Sequence, residues 1–305
     1  MLKRGLSTDY GYCKFAIMNP ELTYTLPAYQ TASGCTDIMV HTLERYFTAP
    51  ATHQLALIDG IAETLLRNVM RYAKIALKEP DNYDARAEIM WSGTLSHNET
   101  TGDRTFGDWS CHQLEHELSS MFGVAHGAGL AAVWGSWARY VYKEKIGRFA
   151  QLAANVFHIP YNFRNPEATA LEGIAAMESF FHHIGMPTSI HELIGKDLTE
   201  DEIKELAYKC SFMNTRTIGQ FKVLTIEDME NISVRQNNLL LKQKCFPLRG
   251  SIFSSSSGNT KNSVTQGLRS NFYEDYIAAS STGYTLIWRL SRPLRSNLTR
   301  PSTLA

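Results

Sequence analysis

The sequence predicts a mainly α-helical protein, in which a multi-helix domain over residues 27–232 lies between a short N-terminal stretch and a serine-rich tail. Apolar residues recur every three to four positions through most of the first 232 residues, and capping motifs mark the starts of several helices. After residue 232 neither a helical nor a strand period is sustained, so we expect residues 233–305 to be disordered. With 305 residues and 44% apolar content, the chain can bury a substantial core.

A single β-strand is predicted near the N-terminus. Residues 14–18 form a short apolar run that Asn19 and Pro20 stop, a pattern typical of a strand followed by a turn. As the sole strand of its region, it would expose unpaired backbone N–H and C=O groups.

Helices are predicted for almost everything that follows. Pro27 can begin a helix that continues past Gly34 and ends near Thr48. Residues 61–77 place their leucine, valine, alanine and tyrosine side chains at three-four spacing, which indicates an amphipathic helix. Further helices are predicted at about residues 83–98, 108–121, 127–142, 145–157 and 166–184.

Two later helix starts carry capping signals. Thr199 and Glu202 have the spacing of a capping box, and Thr225 with Asp228 forms a weaker version of the same motif. The uncharged run over residues 118–138 is broken by glycine and histidine, so it predicts buried core rather than a membrane-spanning helix.

Composition bounds the partners and the cellular setting. The formal net charge is zero, which gives no reason to expect nucleic acid or a membrane as a partner. Residues 233–305 hold ten basic residues, two acidic residues and thirteen serines, so they form either a basic tail for an acidic partner or a disordered or aberrant end; the dispersed basic residues favour the second interpretation. Five cysteines without a CxxC pair, in a chain without a signal-peptide pattern, indicate a reduced, cytoplasmic setting.

Five residues have the spacing of metal ligands. Asp37 and His41 are four apart on one predicted helix, His112 and His116 are four apart on another, and His126 follows shortly after. Carboxylate and imidazole together suit Fe²⁺ or Zn²⁺ better than Ca²⁺ or Mg²⁺. Such an ion would act as a Lewis acid, provided that it can still accept a substrate oxygen. The spacing alone leaves a metal site and ordinary structural histidines about equally favoured.

Two longer stretches carry a resemblance to a known family. Residues 26–41 (LPAYQTASGCTDIMVH) and 107–118 (GDWSCHQLEHEL) resemble the iron-containing alcohol dehydrogenases, in particular their NADPH-dependent butanol dehydrogenases. The resemblance continues through residues 125–127, 184–187 and 218–222 and covers roughly three quarters of the chain. It implies the multi-helix C-terminal domain of the dehydroquinate synthase-like, iron-containing alcohol dehydrogenase fold.

The resemblance also implies an active-site chemistry. By motif position, Asp37, His41, His112 and His126 would bind Fe²⁺, or Zn²⁺ as in some members of the family. His116 would lie nearer the nicotinamide as a catalytic residue that handles the proton, although a purely structural role beside the ligands is equally open. The family reaction is reversible hydride transfer between NADPH or NADH and a small aldehyde, giving a primary alcohol.

The sequence lacks a recognisable phosphate-binding turn for that cofactor. The family carries its glycine-rich loop in an N-terminal α/β domain, of which residues 1–26 would be a remnant. Leu22 and Thr25, where the connection between the two domains lines the cofactor cleft, are the cofactor contacts that the resemblance carries over. An active oxidoreductase would therefore need a cofactor domain from elsewhere. A catalytically inactive metal-binding fragment and, on charge alone, a helical interaction module with a basic tail are the alternatives.

The remaining conspicuous residues favour structural interpretations. Trp134, Trp137 and Tyr140 have helical spacing and are expected in the core or at subunit contacts, the latter compatible with a homodimer. Trp109, so close to His112, is a candidate for the lining of the alcohol site. Cys35 and Cys111 are expected to be small buried residues. His182 and His183, adjacent on one helix, are expected at the surface.

Overall fold

The computed structural model describes residues 13–48, 55–102 and 107–237. From residue 19 onward these residues form one compact helical unit, and residues 13–18 group apart from it. The described helices are α1 (Ala28–Tyr46), α2 (Ala56–Lys78), α3 (Tyr83–His97), α4 (Ser110–Phe122), α5 (His126–Val141), α6 (Ile146–Phe157), α7 (Pro166–His183), α8 (Ile190–Ile194), α9 (Glu200–Cys210) and α10 (Ile226–Asn237). Short 3-10 turns at Pro20–Thr23 and Tyr142–Lys145 complete the described elements.

Helices α1 and α5 lie at the centre of this unit. Helix α5 is apolar on all sides, and every residue from Gly127 to Ala138 is buried. This is the pattern of a helix that other helices surround. Helix α1 packs against α2, α3 and α5, while α4 packs against α5 and α9. Of the uncharged run over residues 118–138 that was predicted to be core, Leu118 and residues 127–138 are buried, whereas residues 119–126 are half-buried or exposed. Trp134 and Trp137 are each only 1% exposed.

A glycine permits the close approach of α5 to α1. A Cβ atom at Gly127 would lie 1.9 Å from the backbone oxygen of Ser33, a separation that no non-bonded atoms sustain. The first turn of α5 can therefore lie directly against the first turns of α1 only because residue 127 is glycine. This contact brings His126, the first residue of α5, beside Asp37.

The predicted helices are confirmed, with ends that differ by a few residues. Thr199 caps α9 in a complete capping box with Glu202, and Thr225 and Asp228 exchange backbone and side-chain hydrogen bonds at the start of α10. The five-residue helix α8 was not predicted, because its length is too short for a period to show. Helix α10 continues past Ile232, so the first residues of the expected tail are helical, and residues 238–305 lie outside the described residues.

The predicted N-terminal strand is wrong. The segment from Cys13 to Met18 has no regular secondary structure, and Phe15 and Ile17 are 68% and 86% exposed. A strand needs a neighbour to satisfy its backbone N–H and C=O groups, and the described residues contain no other strand. The apolar run supplied a strand propensity, but the described ranges hold no strand with which it could pair.

Within the described ranges, no helix has the length and apolar character needed to cross a membrane.

Candidate metal centre

Three helices bring the four predicted metal ligands together. Asp37 and His41 lie one turn apart on α1, His112 is in the first turn of α4, and His126 begins α5. Asp37 Oδ1 is 3.1 Å from His41 Nδ1, 3.6 Å from His112 Nε2 and 3.5 Å from His126 Nε2. The nitrogens of His41 and His112 are 3.1 Å apart.

These separations fit donors that share one ion. Ligand atoms ~2.1 Å from a zinc or iron ion lie about 3.0–3.4 Å from one another at octahedral to tetrahedral angles. The four distances given above, 3.1 to 3.6 Å, fall at or just above that range. The ligand atoms of Asp37, His41 and His112 all lie within 4.8 Å of one another, and His126 joins them through its contact with Asp37. His41 Nδ1 is also 3.1 Å from the backbone carbonyl oxygen of Asp37, so this atom must lose its hydrogen before it can bind an ion. The donor set therefore fits a transition-metal ion in both chemistry and spacing.

Two buried glutamates orient the histidine rings. Glu44, 2% exposed, accepts hydrogen bonds through Oε1 from the backbone N–H of His112 at 3.1 Å and from its Nδ1–H at 3.2 Å. Glu115, which is fully buried, accepts from the Nδ1–H of His126. Each carboxylate thus fixes the tautomer in which Nε2 has a lone pair and faces Asp37. Neither glutamate was singled out from the sequence, where the only signal is an acidic residue within a helical pattern.

The resulting arrangement places acceptors face to face. The Nε2 atoms of His112 and His126, with their Nδ1 protons committed to glutamate, point lone pairs towards the Asp37 carboxylate. Acceptors in contact repel unless a cation lies between them, so this cluster calls for a metal ion or a proton. The Oε2 atom of Glu44 is buried and has no hydrogen-bond partner among the described residues, which adds negative charge behind the histidines.

The electrostatics agree with a site that attracts positive charge. Burial alone would raise the pKa of Asp37, but His112 and His41, when they carry a proton on the nitrogen that faces Asp37, donate hydrogen bonds to it and hold that pKa far below its usual value. Burial opposes protonation of His112, yet the carboxylates of Asp37 and Glu44 raise its pKa to about 9. Burial lowers the pKa of His41, with Asp37 acting in the opposite direction. A proton can therefore take the place of a metal ion on His112.

His116 lies next to His126 and His112. Its ring centroid is 5.4 Å from that of His126 and 6.4 Å from that of His112. Potential ligand atoms of Glu115, His116 and His126 lie within 4.8 Å of one another, but Glu115 is occupied by the Nδ1–H of His126. This second group thus reads as the surroundings of His126 rather than as a separate metal site, and the role of His116 stays a prediction.

The loop before α4 forms one wall of the centre. Trp109 has a left-handed backbone conformation (φ 60°), and its ring lies 5.4 Å from the ring of His41 and 5.2 Å from that of His112. Buried Asp108 fixes this loop by accepting backbone hydrogen bonds from Gln220 at 2.8 Å and Phe221 at 2.7 Å. The indole ring is therefore placed against two of the four proposed ligands.

His97 is a neighbour of the centre that the sequence did not reveal. It is the last residue of α3, and its Nε2 lies 3.8 Å from Asp37 Oδ2. In the sequence it is a lone histidine far from both ligand motifs, and only the packing of α3 on α1 brings it here.

The two predicted cofactor contacts lie before α1. Leu22 is in the 3-10 turn and is 77% exposed, and Thr25 is exposed in the turn that follows. Their described contacts are local, such as the hydrogen bond from the Leu22 N–H to the Asn19 carbonyl at 3.3 Å. Their cofactor-binding role stays a prediction.

Comparison with known proteins gives a consistent result. Residues 31–236 match the model of the Fe-containing alcohol dehydrogenase family, C-terminal. The chain is 36% identical over 233 residues to NADH-dependent butanol dehydrogenase A of Clostridium acetobutylicum, covering 75% of this chain and 58% of that protein. It is also 36% identical over 178 residues to the NADPH-dependent aldehyde reductase YqhD of Escherichia coli, covering 58% of this chain and 45% of that protein.

A solved structure shares the fold. The NADH-dependent butanol dehydrogenase A from Thermotoga maritima superposes with a TM-score of 0.65 at 31% identity, over 71% of this chain and 54% of that one. The chain thus spans a little over half the length of the curated butanol dehydrogenases it matches. Family match, relatives and fold agree, and the chain belongs to the Fe-containing alcohol dehydrogenase family, whose C-terminal domain it matches over residues 31–236.

Proposed function

We propose that this chain supplies the metal-binding half of an alcohol dehydrogenase that interconverts small aldehydes and primary alcohols with NADPH or NADH. The observation that supports it most strongly is the convergence of four donor atoms, two of them on histidines oriented by buried carboxylates. Asp37, His41, His112 and His126 would hold Fe²⁺, with Zn²⁺ as the other candidate. The names of the relatives, butanol dehydrogenases and an aldehyde reductase, indicate the substrate class.

The bound ion would supply Lewis-acid polarisation of the substrate oxygen. The side chains around it would position the reactants. Trp109 would shield the alcohol from water on one side, because its ring lies against His41 and His112. His116 would exchange the alcohol proton with solvent, since it is half-buried beside His126 without being part of the Asp37 cluster. Leu22 and Thr25 would lie against the nicotinamide cofactor.

Metal binding tests this proposal directly. The full chain is stripped with a chelator, reconstituted anaerobically with Fe²⁺ or Zn²⁺, and its bound metal measured by elemental analysis. We expect one ion per chain and its loss in His41→Ala and His126→Ala, because each variant removes a donor from a converging set. His191→Ala is the matched control, since His191 is a half-exposed histidine paired with Asp197 and does not belong to the donor cluster. No bound metal in the wild type, or undiminished binding in His126→Ala, would contradict the proposal.

Turnover tests the catalytic half of the proposal. Oxidation of NADPH and NADH is followed with butanal, using metal-loaded protein. We expect His116→Gln to keep its metal and lose at least tenfold in kcat, because general acid–base groups contribute about 10²–10⁴-fold. A His116→Gln variant with normal kcat would remove His116 from the mechanism, and metal-loaded protein that never consumes reduced cofactor would contradict catalysis by this chain.

A further inference from the structure

His97 has the features of a metal ligand although it stands outside the four-residue set. Its Nε2 lies 3.8 Å from Asp37 Oδ2, whereas His112 and His126 lie near the other carboxylate oxygen, Oδ1. Its ring is stacked on that of His41, with centroids 3.8 Å apart and planes 31° from parallel. The two oxygens of Asp37 thus each have imidazole nitrogens beside them.

Hydrogen bonding fixes the tautomer of His97. Its Nδ1 is 2.8 Å from the carbonyl oxygen of Gly93 and 2.7 Å from Ser96 Oγ, while Ser96 Oγ donates to the same carbonyl at 2.9 Å. A carbonyl oxygen only accepts, so Nδ1 carries the hydrogen and Nε2 of the neutral ring has a lone pair. Ligand histidines commonly donate their second N–H in this way to a carboxylate or a backbone carbonyl, as His112 and His126 do to glutamate here.

The backbone of His97 is held close to α1. A Cβ atom at Gly93 would lie only 3.3 Å from Ile38 Cδ1, so α3 and α1 approach closely one turn before His97. The Arg45 guanidinium of α1 donates to the carbonyl of Ser96, the residue next to His97. The His97 side chain remains 44% exposed, so burial does not account for its orientation. Its direction follows from the hydrogen bond to Gly93 and from the stacking on His41.

The charge distribution leaves a place for a cation between His97 and Asp37. A neutral His97 presents a lone pair to Asp37 Oδ2, which is also an acceptor, so the pair repeats the arrangement that His112 and His126 make with Oδ1.

We infer that His97 is a fifth protein donor to the ion held by Asp37, His41, His112 and His126, an inference that rests on the proposed function. Five donors suit an ion that accepts five or six ligands, such as Fe²⁺ or Co²⁺, more than Zn²⁺, which is usually four-coordinate in proteins. His97 therefore biases this chain towards iron over zinc.

Cobalt titration of the full chain tests the assignment. Co²⁺ is added to chelator-stripped wild type, His97→Ala and His97→Gln, and affinity and visible absorption are recorded. Loss of a donor lowers the coordination number, so we expect at least tenfold weaker binding and stronger visible absorption in both variants. Competition between Fe²⁺ and Zn²⁺ on the same proteins should show a smaller preference for iron. His191→Ala should match the wild type in every measurement, and circular dichroism compares the helical content of all four proteins.

Each possible result either supports or overturns the assignment of His97 as a ligand. Weaker binding together with a changed cobalt spectrum supports ligation by His97. Weaker binding with an unchanged spectrum overturns it, because His97 would then only orient Asp37. Variants indistinguishable from the wild type also overturn it, while the four-ligand centre and the proposed function remain intact. A wild-type chain that binds no Co²⁺ contradicts the proposed function and this inference together.

Discussion

Two buried polar clusters of this fold differ in how their charges are balanced. Between α1, α2 and α6, Arg148 donates to both oxygens of Asp59, and Glu63 accepts from Tyr46 at 2.9 Å and from Asn155 at 2.9 Å. In that cluster each carboxylate faces donors. At the metal centre, Asp37 instead faces the lone pairs of histidines whose N–H groups are committed elsewhere. The first cluster is complete within the protein, and the second requires a cation.

Breaking the Arg148 cluster has the largest expected effect on stability. Arg148→Ala leaves Asp59 as a largely buried carboxylate without its cation and also removes the guanidinium that stacks 3.6 Å from the Tyr46 ring. We expect the free energy of unfolding to fall by about 3–5 kcal/mol, measured by urea denaturation of metal-free protein. Lys143→Ala removes an exposed pair with Glu167 and should change it by less than about 0.5 kcal/mol. An Arg148→Ala variant as stable as Lys143→Ala would show that this cluster does not stabilise the fold.

The same measurement distinguishes the metal centre. His41→Ala in the metal-free protein leaves Asp37 next to His112, on which a proton can take the place of the metal ion, so it should cost far less than Arg148→Ala. A loss as large as that of Arg148→Ala would mean that His41 is itself needed to balance Asp37, and the contrast between the clusters would fail.

The second-largest expected effect on stability comes from disturbing the close approach of α5 to α1. Gly127→Ala places a methyl group 1.9 Å from a backbone oxygen, so α5 must shift and carry His126 away from Asp37. We expect a loss of about 2–3 kcal/mol in the free energy of unfolding, together with weaker metal binding. Gly34→Ala is the matched control on α1, because its Cβ would meet nothing within 4 Å. It should stabilise the chain by about 0.5–1 kcal/mol and leave metal binding unchanged. Equal effects of the two substitutions would contradict the packing argument.

How far the sequence predicted this site depends on the kind of signal. The helices were predictable because periodicity and caps are local, as the capping box at Thr199 shows. The four ligands came from motif resemblance, and the structure brings them together. Glu44, Glu115 and His97 could not be predicted, because their relevance arises only when separate helices pack. The strand expected before Asn19 failed for the same reason, since a strand depends on a partner that the local sequence does not specify.

Asp108 is a third kind of buried carboxylate, balanced by backbone N–H groups alone. It is 2% exposed and accepts from Ser110, Gln220 and Phe221, yet burial and the nearby Glu44 raise its pKa to about 6. The unfolded value is ~3.9, so its contribution to stability is fully present below about pH 4 and is lost as the pH rises through about 6. Asp108→Asn should abolish this pH dependence, about 2–3 kcal/mol between pH 4 and pH 7, in urea denaturation. A wild-type minus Asp108→Asn difference that is flat with pH would contradict it.

Substituting a carboxylate that holds a ligand histidine has the smallest expected effect in free energy, and this effect is the one most specific to metal binding. Glu44→Gln keeps the shape of the side chain and removes its charge, so the Nδ1–H of His112 has a weaker acceptor and Nε2 becomes a poorer donor to the ion. We expect metal affinity to fall about 10–100-fold, or about 1.4–2.7 kcal/mol, with one ion still bound per chain at saturation. Glu205→Gln, at an exposed position in the middle of α9, is the control and should bind metal as the wild type does. If Glu44→Gln binds metal normally while His126→Ala does not, the ligand assignment stands, but the buried carboxylates serve the fold rather than metal binding. The carboxylates of the two clusters would then have the same role.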